Sequence, residues 1–249
     1  MSADFSVVFA LYPRLTQLDF TGPLEVFAQL PQARIVLAAT QAGELTADSG
    51  VTFAGVRAIG EISACALLCV PGGYGCTAAM EDAGYLEGLR RLAGGARYVT
   101  SVCTGSLLLG AAGLLRGKRA ACHWAFRELL ANFGAIPDPA RVVRDGNVFT
   151  GGGVTAGIDM ALTVMAEIAG EELAQAVQLG MEYAPAPPFD SGRPEQAPPQ
   201  VVATVRRQFE RRWSERLAAA RRVGAALAGS PTSTDPFAPA ARSATLSGP

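Results

Sequence analysis

Residues 98–107 have the sequence Tyr98-Val-Thr-Ser-Val-Cys103-Thr-Gly-Ser-Leu107. The apolar run Arg97–Val102 predicts a strand, and the run Thr104–Leu115 predicts an apolar helix. Cys103 therefore lies where a strand turns sharply into a helix, which is the context of a nucleophile elbow. An α/β fold that carries such an elbow places its site at the carboxyl edge of the sheet.

Three physical effects act on a cysteine in this position. The turn pushes the side chain out at the sheet edge, and the positive end of the helix dipole favours the thiolate. The N–H groups of the first helical turn lack partners within the helix and can bind an anion. We therefore expect the pKa of the Cys103 thiol to be lowered and the thiol to act as a nucleophile. The alternative is a buried, inert cysteine, which is common in protein cores.

The rest of the chain alternates strands and helices. In chain order we predict a strand at Phe5–Leu11, a helix near Pro23–Gln29, strands at Ala33–Thr40 and Ala64–Val70, helices at Tyr85–Leu92 and Ala125–Asn132, a hairpin at Val142–Thr150 and a helix at Thr155–Ala169. Strands that are apolar throughout and alternate with helices indicate a parallel sheet covered on both faces.

Two other strand ends supply candidate partners for the thiol. Asp19 is a lone acid among apolar neighbours after the first strand, so it is a candidate general acid or base, or else a helix cap. Pro71-Gly72-Gly73 closes the predicted strand Ala64–Val70. Glycines there let backbone N–H groups approach a substrate closely, although a plain tight turn has the same sequence.

Composition narrows the class of protein. The chain has 249 residues, 49% of them hydrophobic, and a net charge of −1, which favours neither nucleic acid nor an acidic membrane surface as a partner. No apolar run approaches the ~20 residues that span a bilayer. The amino terminus enters a strand without a basic signal region, so we expect a cytoplasmic protein.

The cysteines do not predict disulfides or a metal site. There are five of them, an odd number, at Cys65, Cys69, Cys76, Cys103 and Cys122. On one strand, the Cα atoms of Cys65 and Cys69 would lie roughly 13 Å apart, too far for a disulfide or one zinc ion. The only histidine is His123, which we interpret as structural. We expect no metal and no cofactor.

The carboxyl-terminal part differs in composition. We predict a main domain at 1–192, a helical extension at 193–229 and a disordered tail at 230–249. The predicted helix Val201–Gly229 holds seven arginines and two glutamates between Arg206 and Arg222. We interpret it as a solvated helix that packs an apolar stripe on the domain or on a partner subunit, rather than as a nucleic-acid element. The stripe consists of Val205, Phe209, Trp213 and Leu217.

Two short motifs resemble those of the ThiJ/PfpI superfamily: Val102-Cys103-Thr104-Gly105 at the elbow and Pro71-Gly72-Gly73. Longer stretches are similar to the isonitrile hydratases within it, and the resemblance covers nearly all of residues 5–190. These stretches are Gln17–Pro23, Tyr98–Leu115, Gly117–Trp124, Val142–Asp159 and Gln178–Phe189. The resemblance implies a flavodoxin-like parallel sheet sandwiched by helices, as in class I glutamine amidotransferases, and a homodimer with its active site near the subunit interface.

The resemblance also implies roles for individual residues. Cys103 matches the nucleophile, Asp19 the adjacent carboxylate, and Thr104 a residue whose hydroxyl and N–H face the same pocket. Gly72, Gly73 and Gly152 match backbone that lines the substrate and oxyanion site. The expected reaction adds water to a small-molecule isonitrile through a Cys103 thioimidate and gives an N-substituted formamide. One departure is Cys122, where the family pattern has threonine before the histidine.

Other functions occur within the same superfamily. Glyoxalases, deglycases and proteases are alternatives, but the protease-like members usually have histidine directly after the nucleophile, where this chain has Thr104. Transcription regulators of the AraC type need a DNA-binding domain of ~100 residues, whereas sixty residues follow Phe189. A stress or binding protein without turnover is the remaining alternative.

Overall fold

The computed structural model describes residues 5–229, so the tail predicted to be disordered at 230–249 lies outside the described residues. The strands are β1 Phe5–Ala10, β2 Ala33–Ala39, β3 Gly43–Thr46, β4 Thr52–Ala58, β5 Leu67–Val70, β6 Tyr98–Val102, β7 Arg119–Ala120, β8 Ile136–Pro137, β9 Val142–Asp145 and β10 Val148–Gly151. The helices are α1 Gln17–Phe27, α2 Cys76–Glu81, α3 Ala83–Gly95, α4 Gly105–Ala111, α5 Ala156–Ala169, α6 Glu171–Gly180 and α7 Pro199–Gly229.

Eight of the strands form one sheet in the order β3-β4-β2-β1-β5-β6-β10-β9. The strands from β4 to β10 in this order pair in parallel, and only the outermost pairs, β3 with β4 and β9 with β10, are antiparallel. Every residue of the central strands β5 and β6 is buried, because helices cover both faces. The parallel sheet between helical layers is confirmed, and it brings the carboxyl ends of β1, β5 and β6 to one edge.

Several elements differ from the predictions. Helix α1 begins at Gln17, so Pro23 lies inside it rather than in its first turn. Helix α4 ends at Ala111, four residues before the predicted end, and Gly113 follows in a left-handed conformation with φ of 79°. The segment Arg127–Phe133 is a 3₁₀ helix rather than an α-helix. The edge hairpin of β3 and β4 was not predicted because most of its residues are exposed and it lacks a buried apolar run.

The long helix α7 packs back onto the main domain. It contacts α2, α4 and the 3₁₀ helix Arg127–Phe133. The contact is close, since a Cβ on Gly224 would lie 2.2 Å from the carbonyl oxygen of Asn132. Phe209 packs against the core as predicted, but Trp213 is 39% exposed and Arg216 is 2% exposed, so the buried stripe includes an arginine instead of Trp213. No helix within residues 5–229 is long and apolar enough to cross a membrane.

Candidate active site

The elbow at Cys103 has the predicted geometry. Strand β6 ends at Val102, α4 begins at Gly105, and between them Cys103 adopts a φ of 58°, in the left-handed region that non-glycine residues rarely occupy. Its N–H donates to the carbonyl of Gly151 at 3.0 Å, which ties the turn to β10. A Cβ on Gly105 would lie 2.1 Å from the carbonyl oxygen of Val70, so only glycine lets the elbow sit this close to β5. Backbone held in such a conformation is typical of functional sites.

Asp19 lies beside the elbow in the first turn of α1 and is fully buried. Its Oδ2 accepts a hydrogen bond from the Gly72 N–H at 2.9 Å, so it does not cap its own helix. Its carboxyl also interacts with the Cys103 thiol. Burial raises the pKa of Asp19 to about 7, although the Gly72 N–H and the thiol act in the opposite direction. A carboxyl with such a pKa can give or take a proton near neutral pH.

The turn Pro71-Gly72-Gly73 connects Asp19 to the elbow. The Gly73 N–H donates to Thr104 Oγ1 at 3.1 Å, while the Gly72 N–H donates to Asp19 Oδ2 at 2.9 Å. A Cβ on Gly72 would fall 2.5 Å from the Thr104 nitrogen and 2.7 Å from Asp19 Oδ2, so this position has no room for a side chain. The N–H groups of the two glycines thus hold Asp19 and Thr104, and Gly73 also lines a cavity over Cys103. That the two glycines belong to the substrate and oxyanion site stays a prediction.

The expectation of a lowered thiol pKa at Cys103 is wrong. Cys103 is only 6% exposed, and this burial raises its pKa well above the ordinary value. The neighbouring Asp19 and Cys122 raise it further, whereas the Thr104 N–H and the Arg216 guanidinium lower it. The elbow does bring an N–H to the sulfur, but a helix of seven residues does not offset the loss of water.

A cavity of about 400 Å³ opens over the sulfur. Its wall comes mainly from the elbow, the Gly73 turn, the loop around His123 and helix α7, with further residues before α1, between β3 and β4, and after β10. The lining residues are Thr16, Asp48, Ser49, Gly73, Tyr74, Cys103, Thr104, His123, Phe126, Val154, Phe209, Arg212 and Arg216. Gly152 is not among the lining residues, whereas Val154, two residues later, is. The Gly152 N–H donates to the Arg141 carbonyl at 2.8 Å.

His123 lines this cavity although it is twenty residues from the elbow in sequence. Its ring packs edge-on against Phe209, with centroids 5.5 Å apart, and its Nδ1 accepts a hydrogen bond from the Ala125 N–H at 3.3 Å. Burial, together with the charge of Arg216, lowers the pKa of His123 to about 4. The imidazole is therefore neutral at neutral pH and contributes an aromatic wall.

Sequence reasoning missed Arg216. It is seven residues from Phe209, so at 3.6 residues per turn the two lie on the same face of α7. That spacing was the available signal, but an arginine on an apolar face is normally assigned to solvent. In the structure Arg216 is buried and lines the cavity with Cys103.

No metal centre accompanies these residues in the part of the chain that the structure describes. Residues 5–229 hold no group of three or more His, Cys, Asp or Glu side chains that could bind one ion. The five cysteines are free thiols. Cys76 lies at the start of α2 and its thiol points at the Thr104 carbonyl, with Sγ 3.4 Å from the oxygen, so it supports the elbow from behind.

The elbow, the buried acid beside it and the parallel sheet define the class of protein. The chain belongs to the DJ-1/PfpI family, whose model matches residues 5–167.

Among curated proteins, it is similar to the isonitrile hydratase of Pseudomonas putida, with 52% identity over 200 residues that cover 80% of this chain and 88% of the relative. Among solved structures, a ThiJ/PfpI family protein from Pseudomonas syringae superposes with a TM-score of 0.84 at 39% identity, covering 89% of this chain and 91% of that one. Drosophila melanogaster DJ-1beta, at 22% identity and a TM-score of 0.65, covers 74% of this chain and 100% of its own, and shares the fold.

Proposed function

We propose that this protein is an isonitrile hydratase that adds water to a small isonitrile and releases an N-substituted formamide. The observation that carries the proposal is the Cys103 elbow with the buried Asp19 beside it. Because the pKa of Asp19 is about 7, its carboxyl can exchange a proton with the substrate near neutral pH. Such a pair offers a nucleophile and a proton donor together. The similarity to the P. putida enzyme supports this reaction over others of the family.

The first step forms a carbon–sulfur bond. Transfer of the thiol proton to Asp19 gives a thiolate and a neutral carboxyl, and the thiolate adds to the terminal carbon of the isonitrile. That carbon takes the proton from Asp19, and the product is a thioimidate on Cys103 with a carbon–nitrogen double bond. A neutral carboxyl makes the neighbouring thiolate less costly, because two negative charges in one buried site repel each other.

The second step consumes water. Asp19, now ionised, takes a proton from a water molecule whose oxygen adds to the thioimidate carbon, and passes this proton to the nitrogen. The tetrahedral adduct then gives its hydroxyl proton to Asp19 as it collapses to the formamide and expels the Cys103 thiolate, and return of that proton from Asp19 to the sulfur restores the starting pair. The Thr104 N–H, which points at the sulfur, is placed to stabilise negative charge in both steps.

The size and lining of the cavity fit a small substrate. A volume of about 400 Å³ lies in the range of small-molecule sites and is too small for a folded protein segment. Phe126, Phe209 and the neutral His123 give it apolar surface for the R group of an isonitrile. The reaction as written needs no cofactor.

Three expectations from the resemblance and the sequence accompany this proposal. They are a homodimer with the active site near the subunit interface, a cytoplasmic location, and a main domain at 1–192 followed by a helical extension at 193–229. Each stays a prediction.

The decisive experiment is turnover by the purified protein with no metal or cofactor added. We expect an alkyl or aryl isonitrile to be converted to its N-formamide. The conversion is monitored by the loss of the isonitrile infrared absorption. Cys103→Ala should abolish the reaction, and Cys65→Ala, which removes a buried thiol that contacts the Leu92 carbonyl, should not. Turnover of methylglyoxal without isonitrile loss would favour a glyoxalase, and no turnover of either would favour a binding protein.

A further inference from the structure

Helix α7 forms one side of the candidate active site. Phe209, Arg212 and Arg216 follow one another at helical spacing, and all three line the cavity over Cys103. The family model matches residues 5–167, so these three residues lie beyond the matched region. The site therefore includes a wall from a segment that we predicted to be a solvated helical extension.

Arg216 has an unusual environment for a charged residue. It is 2% exposed, and among residues 5–229 no carboxylate lies within ion-pair distance of it. The face of its guanidinium lies 4.2 Å from the centroid of the Phe126 ring, and its Nε has no hydrogen-bond partner within the described chain. Burying an arginine without a counter-ion costs free energy, so its place on the cavity wall points to a role there.

Within residues 5–229, Arg216 donates its hydrogen bond to the turn Pro71-Gly72-Gly73. Its Nη2 donates to the carbonyl of Gly73. The N–H of the same glycine donates to Thr104, and the N–H of Gly72 donates to Asp19. Gly73 has a φ of 147° and is packed against the backbone before α1, since a Cβ on it would lie 2.3 Å from the Thr16 nitrogen, and its carbonyl also accepts the Cys76 N–H at 3.3 Å. Arg216 adds a side-chain donor to this turn, at the carbonyl of the residue whose N–H donates to Thr104.

We infer that Arg216 is a positioning residue of the active site. By binding the Gly73 carbonyl it helps to fix the turn that orients Asp19 and Thr104, and together with Arg212 it gives positive charge to the wall of the cavity over Cys103. The effect on turnover rests on the proposed function, whereas the effect on the thiol does not depend on any substrate.

The charge of Arg216 affects the Cys103 thiol in a predictable direction. The guanidinium lowers the pKa of Cys103, so its removal should raise the pKa and slow alkylation at neutral pH. A purely structural anchor on α7 would not change thiol reactivity in this way. Arg222 is such an anchor: it lies on the same helix and pairs with Glu81 of α2, but it is exposed and does not line the cavity.

The test compares Arg216→Met with the matched control Arg222→Met. Iodoacetamide alkylation of Cys103 is followed by peptide mass spectrometry between pH 6 and 10, and kcat and KM for an isonitrile are measured in parallel. For Arg216→Met we expect alkylation at pH 7 to slow at least ~3-fold through a raised thiol pKa, and kcat to fall at least ~10-fold with KM within ~2-fold. Arg222→Met should match the wild type in all three measurements.

Arg216→Lys separates charge from geometry and also serves if the methionine variant does not fold. It keeps the charge, so alkylation should stay within ~2-fold of wild type. We expect kcat to fall at least ~5-fold, because an ammonium cannot both stack on Phe126 as the planar guanidinium does and reach the Gly73 carbonyl. An alkylation profile of Arg216→Met that coincides with that of Arg222→Met would overturn the inference. So would a lysine variant with wild-type kcat. If the wild type turns over no isonitrile, the proposed function fails while the alkylation comparison still decides the role of Arg216.

Discussion

Replacing Asp19 by asparagine should make the protein a poorer catalyst and, at the same time, a more stable fold above acidic pH. In the folded protein burial raises the pKa of Asp19 from its ordinary value of 3.8 to about 7. Between these two pH values the unfolded chain is ionised at Asp19 and the folded chain is not. The wild type therefore loses about 1.4 kcal/mol of unfolding free energy for each pH unit, or about 4 kcal/mol by pH 7.

Asparagine does not titrate, so the variant escapes this loss while its amide oxygen can still accept the Gly72 N–H. The free energies of unfolding of both proteins should be measured by urea denaturation from pH 4 to pH 8. The difference between them should grow in favour of Asp19→Asn as pH rises to 7 and then level off. Other titrating groups are shared by the two proteins and largely cancel in the difference. Turnover of an isonitrile should fall at least ~100-fold, the usual magnitude for a positioned acid–base group.

Two results would refute this reasoning. A stability difference that stays constant between pH 4 and pH 8 would mean that Asp19 ionises as easily in the fold as in water, so its burial would not set its pKa. Near-wild-type turnover by Asp19→Asn would show that the carboxyl does not carry the proton, whatever its pKa.

The remaining predictions concern the turn and the thiol. Gly72→Ala should reduce turnover at least ~100-fold, since its Cβ would lie 2.5 Å from the Thr104 nitrogen. The control is Gly94→Ala, at an exposed helical site with nothing within 4 Å of the new Cβ. Equal activities of the two variants would contradict the role of the turn. A brief iodoacetamide pulse should label Cys103 before the other four cysteines, because it alone lines the cavity over the elbow, whereas preferential labelling of Cys65 or Cys69 would contradict this.

The sequence predicted the centre of the sheet well and its periphery poorly. Strands such as Leu67–Val70 are buried on both faces, so their composition alone marks them. The hairpin of Gly43–Thr46 and Thr52–Ala58 is an exposed edge, where long-range pairing rather than apolar pattern decides the structure. Helix α4 was predicted too long because Gly113, which ends it, lies within an apolar run.

The candidate site likewise has features that the sequence predicts and features that depend on distant segments. The elbow at Cys103 was predictable because a strand, a turn and a helix are adjacent in sequence. The pKa of its thiol was not, because it depends on burial and on the charges of Asp19 and Arg216, which lie 84 and 113 residues away in sequence. Asp19 was identified as a candidate from its apolar neighbours, but only the structure distinguishes a partner of Gly72 from a helix cap.

The wall that α7 contributes has an evolutionary consequence. The reactive elbow lies inside the region matched by the family model, whereas Phe209, Arg212 and Arg216 lie more than forty residues beyond its end at residue 167. The nucleophile and one wall of its cavity are thus encoded in separate stretches of the gene. Mutations in the second stretch can reshape that wall without replacing the nucleophile. Relatives that keep the elbow and differ after the matched region should therefore share the nucleophile and differ in the shape and charge of the cavity.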